Sequence, residues 1–277
     1  MAERAALYAR VHDQTPMRAQ RSPLVFFLLL LALAVPLWLA GGRLGVIGAL
    51  RIPVSDLALA FTPMAAALIL AARAEGGGAA VALLARAFDP RSLGRGRWVA
   101  AALLTAPAIC LSAWALMRLA GVDGAPLRPD LLRTLLLFVL FLVLAAGEEV
   151  GWMGYAYGPM RDRWGALRAA LVLAVPWWLG HLPSMAAIGT TAADVAWWIL
   201  GAAALRVLIA WLYEGTGGSL FAAVLFHALL NLGRILLYPA AGAHYSTAYQ
   251  ATGDVVAAAL AAAVAARSRV WPGAARS

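Results

Sequence analysis

The chain has 277 residues, 64% of them hydrophobic and only 13% charged, and its mean hydropathy is +0.81. That composition excludes a water-soluble domain, a disordered chain and a collagen-like chain. The net charge of +9 would suggest a nucleic-acid partner in a soluble protein. Here every basic residue is Arg and most lie between apolar runs, which is a pattern of membrane topology and not of nucleic-acid binding. The single Cys110 excludes a disulfide scaffold and a thiolate zinc cluster.

Apolar runs fall near residues 23–40, 57–73, 98–120, 131–153, 167–188, 193–213, 218–238 and 254–267. Each approaches the length of about 20 residues that crosses a bilayer. They lack the alternating pattern of a barrel, so the expected fold is all-α, a polytopic membrane bundle of about eight transmembrane helices. Residues 1–22 read as a cytoplasmic N-terminal tail, 23–97 as the first two spans with a basic loop, 98–240 as a core, and 241–277 as the last span with a short tail. The first run is preceded by more than 20 residues, too many for a cleaved signal peptide, and is read as a span. Residues 74–97 form the longest loop, expected to lie on the membrane surface.

Arg placement predicts both termini on the cytoplasmic side. That arrangement puts Arg4, Arg10, Arg18, Arg21, Arg73, Arg86, Arg91, Arg95, Arg97, Arg161, Arg163, Arg168, Arg267, Arg269 and Arg276 inside. It leaves Arg43, Arg51, Arg118, Arg128 and Arg133 outside, with Arg206 and Arg234 in or near spans.

Ionisable groups inside a span cost roughly 2.5–3.5 kcal/mol each on insertion scales. Asp56, Glu75, Asp89, Asp123, Asp130, Asp162, Asp194, Glu214 and Asp254 fall at span ends or in loops, where they read as solvated or capping carboxylates. Glu148 and Glu149 differ, because they follow an unbroken apolar stretch from Leu135 to Gly147. The pair reads either as proton-handling groups or as a helix end that snorkels to the cytoplasmic surface.

His181 and His227 shift the balance towards chemistry. Trp177 lies four residues before His181, and Asn231 four after His227, so each pair shares a helix face. At 1.5 Å per residue, His227 is expected roughly 12–14 Å into its span, His181 roughly 20 Å, and Glu148 roughly 8–10 Å from the cytoplasmic end. These depths overlap loosely and suggest a shared cavity between the bilayer centre and the cytoplasmic side. His12 and His244 carry no assignment.

These residues resemble the motifs of the CPBP intramembrane proteases, which include Rce1-type CAAX-processing enzymes (CAAX prenyl protease 2) and bacterial Abi relatives. Glu148-Glu149 with the residues that follow resembles the family's first motif, Trp177 and His181 the second, and His227 with Asn231 the third. The similarity covers about residues 98–240 and marks that core as CPBP-like and catalytic. It implies an intramembrane endopeptidase in which Glu148 activates water and His181 positions or polarises it. His227 and Asn231 would stabilise the oxyanion, and Glu149 would be a supporting carboxylate. The implied substrate is a membrane-associated or lipid-modified peptide or protein, met in the lipid bilayer, with no nucleic acid involved. No Ser or Cys nucleophile is needed, and neither Ser184 nor Cys110 sits in a credible triad.

The family's arginine, four residues after the second glutamate, is replaced by Met153. Glu149 therefore lacks that ion-pair partner unless Arg161, Arg163 or another group reaches it. Arg206 is the odd charge within a span, either snorkelling or paired with Glu214, Glu148 or Glu149. Glu148, His181 and His227 are a plausible zinc triad, but the chain has no HExxH helix, and a metal-free glutamate mechanism is favoured.

Tryptophans cluster in the second half and read mainly as interfacial anchors, although Trp152 and Trp177 flank the motifs and could line a substrate cavity. Gly147, Gly151 and Gly154 fit close helix packing better than a phosphate loop. The rival functions are a proton-coupled transporter, whose repeated halves and broken helices are not evident in the sequence, and a non-catalytic scaffold, favoured only by Met153. The composition points to a bacterial inner membrane.

Overall fold

The computed structural model describes residues 22–41, 44–47, 52–94, 96–124, 130–241, 244–268 and 270–271. Residues 1–21 of the expected tail, with His12, lie outside the described residues, as do Arg43, Arg51, Arg95, Arg128, Arg269 and Arg276. The fold is an all-helical membrane bundle. Among the described residues, eight segments are long and apolar enough to cross a bilayer: Pro23–Gly41, Val54–Glu75, Arg97–Leu119, Leu131–Trp164, Ala166–Ala187, Ala192–Gly215, Leu220–Leu237 and Thr247–Arg267.

The first span is α1 (Pro23–Gly41), opening on a proline, which has no N–H to lose in a first helical turn. A two-residue antiparallel pair, β1 (Val46–Ile47) with β2 (Ile52–Pro53), precedes the second span. That span is broken into α2 (Val54–Leu59) and α3 (Thr62–Glu75), with a turn at Ala60 and Phe61. Pro63 has no N–H to give the Leu59 carbonyl, so a continuous helix would leave that carbonyl unpaired in an apolar setting. The Thr62 hydroxyl donates to it instead, at 2.8 Å. The sequence reading had found no broken helix, because the hydropathy of this stretch stays high across the turn.

The loop after α3 is built from α4 (Gly77–Arg86) and a 3₁₀ turn (Pro90–Leu93), and it is tied to the bundle. Arg86 donates to the Tyr213 hydroxyl at 3.2 Å and the Gly218 carbonyl at 3.3 Å, and the Ser92 and Ser219 hydroxyls are 2.6 Å apart. The third span is α5 (Arg97–Leu119).

The fourth span begins at α6 (Leu131–Gly151), whose Asp130 cap accepts from the Arg133 N–H. It passes through a π-helical turn (Trp152–Ala156) and continues as α7 (Tyr157–Trp164). The expected end at residue 153 is therefore corrected. The π turn absorbs an extra residue without ending the helix, and α7 is polar enough that hydropathy does not register it. Glu148 consequently lies about midway along this 34-residue helical run, roughly 24 Å from its end at 1.5 Å per residue.

The remaining spans are α8 (Ala166–Ala187), α9 (Ala192–Gly215), α10 (Leu220–Leu237) and α11 (Thr247–Arg267), with a short β3 (Ala240–Ala241) and β4 (His244–Tyr245) pair before the last. Helix α10 is the most buried span and packs against α5 and α6, while α9 packs against α11 and α8. The last helix starts earlier than residue 254 because its polar opening turns are used inside the bundle. Gln250 donates to Asp254 at 2.8 Å, and Asp254 is fully buried against Arg234. Asp194 is also buried, closing a reciprocal cap with Thr191 at the start of α9. Asp194 is thus a capping carboxylate, as its place in the sequence suggests, whereas buried Asp254 is neither solvated nor a cap.

Candidate active site

Helices α6, α8, α9 and α10 bring the singled-out residues to one place. Glycine allows the first of these helices to approach the break in the second span. A Cβ on Gly147 would stand 2.6 Å from the Ala60 carbonyl oxygen, so only glycine lets α6 run against that turn. Glu148 and Glu149 follow at once.

Glu149 is fully buried. The Arg206 guanidinium from α9, also fully buried, donates to both carboxylate oxygens, at 2.8 and 2.9 Å. A forked contact of this kind suits a charge pair withdrawn from water. His227 Nδ1 lies 2.9 Å from the same Glu149 Oε1. An ionised carboxylate only accepts, so His227 donates through Nδ1 and leaves Nε2 for another group.

Glu148 is half-buried and accepts from Trp177 Nε1 at 2.6 Å. His181 Nδ1 is 2.7 Å from the Trp177 carbonyl, one turn back on α8. A carbonyl cannot donate, so this proton too sits on Nδ1, and Nε2 is again the ring atom left for other contacts.

Trp177 is the hub of the cluster. Its ring centroid lies 5.5 Å from that of His181, 5.7 Å from that of His227 and 5.2 Å from that of Trp198. The Arg206 guanidinium stacks 3.9 Å from the centre of the Trp177 ring. Read from sequence as a cavity-lining candidate among interfacial anchors, Trp177 is instead a buried connector between two carboxylates, two imidazoles and a cation. Trp152 is buried as well, with Arg206 5.9 Å from its ring. Asn231, one turn beyond His227, is half-buried, and among the described residues no hydrogen bond ties it to these carboxylates or imidazoles.

Met153 is buried in the π turn and brings no charge. Arg161 does not reach Glu149 but pairs with Asp162 at 2.6 Å and Glu214 at 3.4 Å, and Arg163 stacks near Trp164. The cation for Glu149 comes from Arg206, and of its three suggested acidic partners the structure selects Glu149. Arg234, on the helix that carries His227, is buried and paired with Asp254 at 3.0 Å.

One neighbour of the site escaped the sequence reading. Asp56, on α2, accepts a hydrogen bond from the Ser184 hydroxyl and lies within electrostatic reach of His181 and Glu148. Its position beside the start of a span disguised it, and only the Gly147 contact with Ala60 shows why α2 is here.

Among the described residues, no three His, Cys, Asp or Glu side chains are grouped as a metal would require. The residues weighed as a zinc triad, Glu148, His181 and His227, do not form such a group in this structure. His227 faces Glu149 through Nδ1, and the Glu148 contact from α8 is the Trp177 indole N–H.

Comparison with known proteins points the same way. Residues 130–233 match the family model described as type II CAAX prenyl endopeptidase Rce1-like. Over 109 residues the chain is 29% identical to CAAX prenyl protease 2 of Methanococcus maripaludis, a stretch that covers 36% of this chain and 40% of that protein. The chain thus spans about two-fifths of the length of the curated relative it matches. Residues 130–233, which carry the motifs, are thus similar to the Rce1-like family over somewhat more than a third of the chain.

Proposed function

We propose that this protein is an intramembrane endopeptidase that hydrolyses a peptide bond of a membrane-associated or lipid-modified substrate. The observation that carries the reading is the joining of polar residues from four separate spans through Trp177 and Glu149. Polar groups withdrawn from water in a membrane protein call for a purpose. Their convergence in one cluster fits one reaction centre better than a relay strung along a pore.

The chemistry follows from what each group is free to do. Glu148 holds one hydrogen bond, from Trp177, and keeps acceptor capacity for a water molecule. As that water attacks the peptide carbonyl, Glu148 takes its proton and later returns it to the departing amine. His181 orients the water through Nε2. His227, backed by Glu149, turns its Nε2 side to the developing oxyanion, with the Asn231 amide as a further partner. Arg206 keeps Glu149 ionised and in register.

The mechanism is metal-free, since the implied ligands serve better as donors and acceptors than as a zinc set. The inactive-scaffold alternative rested on Met153, and the Arg206 contact, which brings Glu149 a cation from another span, favours the endopeptidase reading over it. The broken second span is the one feature that favours a transporter, yet it meets the same cluster, its turn resting on Gly147 beside Glu148. We place the protein in a bacterial inner membrane with both termini cytoplasmic. The test compares peptide termini in membranes carrying the wild-type protein with membranes carrying Glu148→Gln at equal abundance. New termini present only with the wild type support the proposal, and identical sets refute it.

A further inference from the structure

We propose that Asp56 is a third carboxylate of this centre, a positioning residue that acts on the reaction through His181. This inference rests on the endopeptidase reading above. Asp56 belongs to α2, well outside the matched residues 130–233, so nothing in the comparisons assigns it a role.

Three observations place it. Asp56 Oδ1 accepts from the Ser184 hydroxyl, and Ser184 is three residues beyond His181 on α8, on the same helix face. The carboxylate therefore sits on the His181 side of α8. The broken span is what delivers it, since the turn after α2 rests on Gly147, next to Glu148.

His181 is held so that this charge matters. Its Nδ1 proton is committed to the Trp177 carbonyl, and its ring is flanked by Trp177 and Trp198, at 5.5 and 5.2 Å between centroids. The imidazole cannot swing away, and Nε2 is its one atom for chemistry. The charged or titratable groups around it are Asp56 from α2, Glu148 from α6 and, beyond Trp177, Glu149, Arg206 and His227.

The permanent cation, Arg206, is used by Glu149. While Glu148 takes up the water proton, Asp56 is the carboxylate left beside His181, where its negative field strengthens Nε2 as the acceptor that holds the attacking water. A purely capping role fits less well. The hydrogen bond of Asp56 crosses to a side chain on another span, and α2 is only six residues long.

The test uses the purified full chain in proteoliposomes with a substrate identified by its Glu148-dependent cleavage. For Asp56→Asn, which still accepts from Ser184, kcat is expected to fall about 10- to 100-fold with KM changed less than about twofold. Asp56→Glu, which restores the charge, should recover much of the rate. Ser184→Ala, which leaves the carboxylate in place, should lose less than Asp56→Asn. The inference is overturned if Asp56→Asn keeps the wild-type kcat. It is equally overturned if Asp56→Asn and Ser184→Ala fall together without rescue by Asp56→Glu, the mark of a mere tether. A wild-type protein with no Glu148-dependent cleavage would defeat the endopeptidase reading itself, a result distinct from either of these.

Discussion

Arg206 meets both oxygens of Glu149, at 2.8 and 2.9 Å, from 57 positions further along the chain. Neither side chain is exposed at all. The site of a missing cation, Met153, is thus answered from the neighbouring span and not from its own helix.

Breaking that pair should be costly, because it strands a buried carboxylate. Arg206→Met is expected to destabilise the protein by about 3–5 kcal/mol and to abolish cleavage. Arg206→Lys should retain charge but lose the fork and fall between the two. The double variant Glu149→Leu, Arg206→Met should unfold at a higher temperature than Arg206→Met alone, while remaining inactive. Thermal unfolding in detergent would check this series, and an Arg206→Met protein as stable as wild type would contradict it.

Trp177→Phe keeps an aromatic ring between the histidines but removes the indole N–H that Glu148 accepts. A hydrogen bond to a charged group contributes about 1.5–3 kcal/mol, which corresponds to a loss of about 10- to 100-fold. The loss should fall on kcat more than on KM, as steady-state kinetics would show.

Much of this was legible in the sequence, and the reasons it stopped are physical. Hydropathy located all eight spans because lipid rewards apolar length. Helical spacing found Trp177 with His181 and His227 with Asn231 because residues four apart must share a face. Hydropathy reports exposure to lipid, however, and not which partner a charge meets. The choice of Glu149 by Arg206, the burial of Asp194 and Asp254, and the place of Asp56 beside His181 are all contacts between distant segments. The helix beyond residue 153 was missed for a related reason, since α7 is polar and its arginine is neutralised by tertiary pairing.

Asn231 is assigned an oxyanion role although it lacks a bond to the cluster in the resting protein. Asn231→Ala should lower kcat by about 10²–10³-fold, the usual effect of removing one such donor. An unchanged kcat would leave His227 as the sole partner of the oxyanion.

Chelation offers an independent check on the metal-free mechanism. Purified protein treated with a strong zinc chelator should keep its full cleavage rate. A rate that disappears on treatment and returns with added zinc would contradict the mechanism.

The most direct measurement follows a defined membrane substrate with purified wild-type protein and Glu148→Gln in proteoliposomes, matched for amount and thermal stability. The wild type should cut at one peptide bond, and Glu148→Gln should cut at least about 10²-fold more slowly. Cleavage by Glu148→Gln at the wild-type rate would show that Glu148 is not the base and would contradict the account at its centre.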